Sequence, residues 1–364
     1  MNDLNEILTS PYIPKGENGY DESVSIKLSD DQVQKIKINV PPKPTLVHEK
    51  EMWDTINKIE KESWSTKRKG LDCGWDSINK AFDGGIKPGF QVIAADSNVG
   101  KTIFLTQLLW QIAENNNDVY IMDFSLDDPM EDKIPRVVAC ANKVLINAVK
   151  NPLGYKKYPM MLARRLDGMN KLRRYVEKYR AYDSLFSTNI EDIEDEVNRV
   201  RIELDAAGRG NTQIVIGIDN FHDLNSREKP NLQDKQKYDY LAQFCADMAI
   251  RQKCPLLCTG ELRKVNGLLR PIVDGIRESV KIKYEAKAIL LCHNEVHYKG
   301  EGADVYFMRK DSKLKQPVFE VHFAKNKLGS FKGRVFFESY PEISRMEEAD
   351  DDSTKHYSTV VFGS

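Results

Sequence analysis

The stretch FQVIAADSNVGKTIFLTQLLWQIAE, Phe90 to Glu114, decides the fold class of this chain. It opens on an apolar run of strand length and closes on apolar residues at helical spacing. Between them lies DSNVGKT, Asp96 to Thr102. A loop that leaves a strand and opens a helix points successive backbone N–H groups outward at a helix N-terminus, which suits a phosphate. In that context Ser97, Asn98, Val99 and Gly100 form the backbone cradle, Lys101 neutralises β- and γ-phosphates, and the Thr102 hydroxyl reaches Mg2+. The usual first glycine of the GxxxxGKT pattern is Ala95 here.

Outward from the loop, DVYIMDF, QIVIGID, PLLCT and AILLCH repeat the strand-length apolar run, with helical stretches between them. That alternation predicts an α/β fold: a twisted, mostly parallel sheet with helices on both faces. PVFEVHFAKN and GRVFFES alternate with period two around Lys-Leu-Gly-Ser and predict an added antiparallel hairpin. Asp219 ends an apolar run that reads as a central strand, the position of a second Mg2+ residue in phosphate-loop enzymes. Asp127 follows the strand Val119 to Phe124 at the carboxyl edge, where a group that orients the attacking water belongs. Asp128, Glu131 and Asp132 share that loop, and spacing alone does not choose among them.

Composition bounds the rest. Lys and Arg number 54 against 55 Asp and Glu, a formal charge of −1, so any contact with nucleic acid depends on local basic clusters. The six cysteines show no paired CxxC spacing and read as reduced, buried thiols. No apolar run approaches the roughly 18 residues of a membrane span, and the polar start has no signal-type pattern, so a cytoplasmic protein is expected. Residues 1–46 read as a flexible arm. Residues 47–64 read as an amphipathic linker helix with Met52, Trp53, Ile56 and Ile59 on one stripe. The ATPase domain is expected over 65–342 and an acidic tail over 343–364. Lys156, Lys157, Arg164, Arg165, Arg173 and Arg174 read as the solvated face of a helical insertion, with a DNA-contacting surface as the alternative.

The sequence also resembles a known family. KGLDCGWDSINKAFDGGIKPGFQVIAADSNVGKT is similar to the start of the DnaB-type helicase domain, whose phosphate loop also begins with alanine. SLDDP, IGIDNFHDL, RPIVDGIRES and AKNKLGSFKGRVFFE follow in the family's order, from about Thr66 to Ser339. The resemblance implies a RecA-like fold, ATP and Mg2+ as ligands, and a hexameric ring moving on single-stranded DNA in replication. It gives Asp127 the place of the catalytic glutamate and Glu261 that of a γ-phosphate-sensing glutamine. Lys325 and Lys327 take the place of a lysine and an arginine that enter the adjacent subunit's site. Arg277 and Glu278 fall in the loop that touches the DNA backbone, with Arg263, Lys264 and Arg270 adding positive charge. The helix before the domain would dock on a neighbour, and a primase or helicase loader is an implied partner. A phage or other mobile element is the implied source.

The departures are specific. Asp127 is one methylene shorter than glutamate, Lys327 lacks arginine's planar fork, Glu261 adds a negative charge and Val280 replaces a small glycine. They leave a second expectation, a helicase-like accessory protein that binds ATP and DNA with weak turnover. A recombinase-type filament ATPase shares the core but lacks RPIVDGIRES and the Lys-x-Lys hairpin.

Overall fold

The computed structural model describes residues 45–63, 70–262, 270–276, 280–310 and 312–362. The chain divides into two units, Met1–Thr66 and Lys67–Ser364. In the first, helix α1 spans Val47–Ser63. Its stripe of Met52, Ile56 and Ile59 is exposed. The arm expected over 1–46 lies almost wholly outside the described residues.

The second unit begins with α2 (Asp76–Ala81), β1 (Gly89–Ala95), α3 (Lys101–Asn115), β2 (Val119–Ser125) and α4 (Met130–Asn142). The insertion follows as α5 (Ile146–Lys150) and α6 (Pro159–Arg174), then β3 (Tyr179–Asp183), α7 (Ile190–Ala206), β4 (Gln213–Asp219), α8 (Asp234–Arg251) and β5 (Pro255–Glu261). Next come α9 (Val280–Glu285), β6 (Ala288–His293), α10 (Glu295–Lys299), β7 (Tyr306–Met308), β8 (Lys315–Asn326), β9 (Arg334–Tyr340), β10 (Arg345–Glu348) and α11 (Asp351–Phe362).

The sheet runs β10-β9-β8-β6-β1-β5-β4-β2-β3, with β7 paired to β8. Strands β1 to β6 are mutually parallel, and the β8–β9 hairpin continues the sheet antiparallel beside β6. The α/β reading with an added hairpin is the observed fold. Period-two geometry sends alternate β1 side chains to opposite faces. Ile93 and Ala95 pack with α3, whereas Phe90, Val92 and Ala94 pack with α7 and α8. Both faces are therefore covered, which is why the inner strands are apolar throughout. Gly217 on β4 lets α3 lie close, since a Cβ there would come within 2.4 Å of Leu109.

The stretch after residue 342, which reads as an acidic tail, contains ordered elements. Strand β10 pairs with β9, and buried Met346 exchanges main-chain and amide hydrogen bonds with Gln107 of α3. The Glu348 carboxylate accepts from the backbone N–H groups of Asp76 and Ser77 at the start of α2 (2.9 and 2.7 Å). Helix α11 buries Tyr357 against Phe336. All six cysteines are buried free thiols.

Candidate active site

Parallel strands in register bring their carboxyl ends to one edge. Ala95 at the end of β1 is level with Glu261 at the end of β5, and Ser125 of β2 is level with Asp219 of β4. With the order β1-β5-β4-β2, the residues that follow these ends line one depression. There a cavity of about 250 Å3 is lined by Ser97, Asn98, Gly100, Lys101, Thr102, Ile103, Asp127, Arg136, Asp219, Asn220 and Glu261. The structure thus brings together the loop residues, Asp127, Asp219 and Glu261 that the sequence singles out. Val99 turns away and is buried.

The loop backbone is shaped for this wrap. Asn98 has φ 59° and Gly100 φ 122°. The second value lies where only glycine is unstrained, and a Cβ at Gly100 would also meet Met346 and Phe319 at 3.2 and 3.4 Å. The Asp96 carboxylate accepts from the Ser97 N–H at 2.8 Å and from the Tyr298 hydroxyl at 3.4 Å. The Lys101 ammonium donates to the carbonyls of Ala95 and Asp96, both at 3.0 Å. Burial lowers the Lys101 pKa, while Glu261, Asp219 and Asp96 work against that shift. Leaving those carbonyls for a triphosphate exchanges neutral acceptors for charged ones, the stronger kind of hydrogen bond.

Asp219 is buried, and the Thr259 hydroxyl of β5 donates to its Oδ1. Thr102 and Asp219 thus put a hydroxyl and an oriented carboxylate on one cavity, hard oxygen donors that fit Mg2+. The Leu126 N–H donates to the Asp219 carbonyl at 2.5 Å and ties the Asp127 loop to the metal edge. Burial, and then the charges of Asp127, Glu261 and Asp219, raise the Asp223 pKa; burial is also the first cause for Asp128. Three carboxylates, those of Asp127, Asp219 and Glu261, line the cavity beside Lys101 and Arg136. The Glu261 N–H donates to His222 Nδ1 at 3.2 Å, which links the end of β5 to the turn after β4.

Arg136 lines the cavity and was not singled out in the sequence. It projects from α4, and its guanidinium meets Asp128 Oδ1 at 3.3 Å. The signal for it was an arginine on the helix that starts in the Asp127 loop, legible only once the direction of that helix is known.

Lys325 and Lys327 are not in this cavity. Asn326 pairs with Ala288 at the start of β6, so the hairpin turn sits at the amino edge of the parallel strands. A strand length of roughly 20 Å separates the two edges. The Lys325 ammonium donates to the carbonyls of Lys283 and Tyr284 at the end of α9. Lys327 is exposed, and its N–H donates to the Lys287 carbonyl at 2.8 Å. Asn326 holds the turn, donating to Ala81 O and Phe331 O and accepting from the N–H groups of Leu328 and Gly329.

Of the residues expected on DNA, Arg263, Lys264, Arg277 and Glu278 lie outside the described residues. Arg270 is bound inward, its Nε to Glu320 at 3.0 Å and its Nη2 to Glu295 at 3.2 Å. Among the described residues no helix is long and apolar enough to cross a membrane, and no cluster of His, Cys, Asp and Glu forms a metal site by itself.

A family model described as the DnaB-like helicase C-terminal domain matches residues 70–348. Among solved structures, an ATPase domain superposes with a TM-score of 0.67 at 18% identity, covering 82% of this chain and 98% of its own. A DnaB-like replicative helicase, described with its interactions with primase, superposes with a TM-score of 0.68 at 16% identity, covering 88% of this chain and 71% of its own. At these identities the likeness to solved structures is one of fold. No curated protein matches the sequence.

Proposed function

Since the chain belongs to the family of DnaB-like helicase C-terminal domains, we propose that it is an ATP-hydrolysing DNA helicase of replication, working as a hexameric ring on single-stranded DNA. The observation that carries this reading is the convergence of Lys101, Thr102, Asp127, Asp219 and Glu261 on one cavity at the carboxyl ends of β1, β2, β4 and β5. Lys101 and the loop N–H groups bind the β- and γ-phosphates. Asp127 orients the attacking water and accepts its proton. Thr102 and Asp219 would hold Mg2+, which supplies charge neutralisation when bound. Glu261 faces the γ-phosphate end and, through His222, connects nucleotide state to the turn after β4.

The far-edge position of Lys325 and Lys327 supports completion of each site by a neighbour, as closed rings with head-to-tail interfaces allow. DNA contact is assigned to Arg263, Lys264, Arg277 and Glu278, with salt-sensitive, weakly sequence-selective binding through phosphates. Arg270 braces the base of that region. The exposed stripe of α1 docks on an adjacent subunit, and primase is the first partner class to test.

The experiment is ATP hydrolysis by the purified chain with and without single-stranded DNA, across protein concentration, beside Lys101→Ala. DNA-stimulated turnover that rises with concentration and is lost in the variant supports the motor. The short carboxylate at Asp127 and the lysine at 327 favour a second reading, an accessory protein that binds ATP and DNA without efficient turnover. Wild-type turnover at the Lys101→Ala background, with both ligands still bound, would select it.

A further inference from the structure

We infer that the outer face of α6, with the turn before it, is a second nucleic-acid surface, on which Lys156, Lys157, Arg164 and Arg174 hold the phosphates of a single strand and Tyr158 stacks on a base. This goes beyond the motor proposed above and does not rest on it.

The segment from Lys156 to Arg174 carries seven basic residues against one acidic, Asp167, in a chain whose formal charge is −1. Three of the seven bind within the domain. Lys171 pairs with Glu114 and lies over the Trp110 ring, Arg165 Nε donates to the Val149 carbonyl at 3.1 Å, and Arg173 donates to Asn170 Oδ1 at 2.7 Å. The other four, Lys156, Lys157, Arg164 and Arg174, are exposed, and their side chains have no ion-pair or hydrogen-bond partner among the described residues.

Exposed arginines around α7 are treated differently. Arg199 is paired with Glu196 and Glu203, Arg227 with Asp192 and Asp195, and Arg251 with Glu194. A face that serves solubility alone mixes signs in this way. An unpaired stretch of one sign instead concentrates its field on an anion.

Packing explains why the charge points outward. Helix α6 lays Met161, Met169 and Leu172 on the small core of α4 and α5. Gly168 lets it lie close, since a Cβ there would come within 3.0 Å of Val138. Arg164 and Arg174 remain on the outside, ten residues and roughly 15 Å apart along the helix axis, the reach of several phosphates of one strand. Arg164 also lines a groove of about 580 Å3 between α6 and the end of α4, shared with Lys143 and with Asp167, the one carboxylate among its lining residues.

Tyr158 selects nucleic acid over an acidic protein. It stands at the start of α6 directly after the two lysines, 61% exposed, with its ring 6.1 Å from that of Tyr155. An exposed ring beside unpaired cations offers a base its π-face while the cations take the backbone. The surface is also separate from the loop assigned to DNA above. Leu172 and Tyr175 pack on the α3 side of the sheet, whereas Ile276 and Ile282 pack on the α7 and α8 side.

The test measures binding of a fluorescent oligo-dT to the full chain by anisotropy, without nucleotide, across salt concentration. A chain carrying Lys264→Ala and Arg277→Ala lacks two of the loop cations and serves as the background. In it are placed Lys156→Ala, Lys157→Ala, Arg164→Ala and Arg174→Ala together, or Tyr158→Ala, or Tyr158→Phe. All five side chains are exposed, so folding should survive, and thermal unfolding checks it. The background chain should still bind at low salt. The fourfold variant should have a log–log salt slope shallower by about 3, roughly 0.7 for each cation lost. Tyr158→Ala should weaken binding by about 5- to 100-fold with the slope unchanged, and Tyr158→Phe should restore it. A background chain that binds no oligo-dT, or a folded fourfold variant with an unchanged slope, overturns the inference. So does poly-L-glutamate that displaces oligo-dT at equal charge concentration while Tyr158→Ala has no effect, which would make an acidic protein the partner. A chain without ATP turnover leaves each of these readouts standing, because no nucleotide enters the assay.

Discussion

Lys133 and Asp123 form an ion pair without solvent access, Nζ to Oδ2 2.9 Å, with both side chains 0% exposed. The Tyr179 hydroxyl donates to the same Asp123 oxygen, and the Lys133 ammonium also donates to Thr106 Oγ1 at 3.1 Å. Helix α4, strand β2, strand β3 and helix α3 therefore meet at one charged point beneath the active edge. Removing one partner strands the other, which costs about 3–5 kcal/mol, whereas an apolar pair avoids most of that penalty. Lys133→Met should lower the unfolding free energy in urea by that amount, and Asp123→Leu with Lys133→Leu should recover a good part of it. A Lys133→Met protein within about 1 kcal/mol of wild type would mean that the pair does not hold α4.

His293 ends β6 with its ring stacked on Tyr298, centroids 5.1 Å apart, and neither ring nitrogen has a hydrogen-bond partner among the described residues. Burial pushes its pKa down from 6.5 to about 4. Between those two values the unfolded chain binds a proton that the folded chain refuses. Stability is therefore lost as pH falls from the unfolded value toward the folded one, and is regained as pH rises. For this single group the loss between pH 7 and pH 5 is roughly 2 kcal/mol. His293→Phe should flatten that part of the pH dependence in chemical unfolding. An unchanged slope would show that His293 accommodates a proton in the folded state.

Arg270 stands in a motif that resembles the family's DNA loop, yet its guanidinium is engaged by Glu320 and Glu295, both nearly buried. Arg334 also binds Glu320 at 2.6 Å, and Lys299 binds Glu295 at 2.5 Å, so neither carboxylate is orphaned when Arg270 is removed. Arg270→Ala should cost about 1–3 kcal/mol of stability. The dependence of single-stranded DNA affinity on salt should keep its slope. A slope smaller by about one would instead place Arg270 on a phosphate.

Where the sequence was legible, the reason was local. Phe90 to Glu114 joins a strand run to a helix run through Gly100-Lys101-Thr102, and backbone geometry leaves a phosphate loop as its consequence. Asp219 was visible because the apolar run before it required a central strand. The structure then supplied what depends on distant partners. Nothing in the sequence pairs Lys133 with Asp123, because that contact exists only once α4 is laid on β2, and the partners of Arg270 lie 25 and 50 residues further on. The acidic residues after position 342 concealed two anchors, Met346 and Tyr357, each a single apolar side chain without a periodic run around it. Arg136 was hidden for a related reason: a helix shows its polar face in sequence without showing what that face looks upon.

The hairpin lysines give the last prediction. Lys327 is exposed at the amino edge of the sheet, while the cavity opens at the carboxyl edge, so it cannot serve the site of its own chain. If it serves a neighbour, a subunit with a damaged cavity still offers a good Lys327, and a subunit lacking Lys327 still offers a good cavity. Lys101→Ala and Lys327→Ala preparations should each be nearly inactive, with Lys327→Ala reduced by about 10²-fold or more as for loss of a charge-stabilising group. Mixing them under conditions that allow subunit exchange should restore DNA-stimulated ATP hydrolysis above both. The main-chain contact of residue 327 with Lys287 does not involve the side chain, so folding should be unaffected in Lys327→Ala. A mixture no more active than its components, with exchange verified by labelled subunits, would place every catalytic group within one chain and remove the need for a ring.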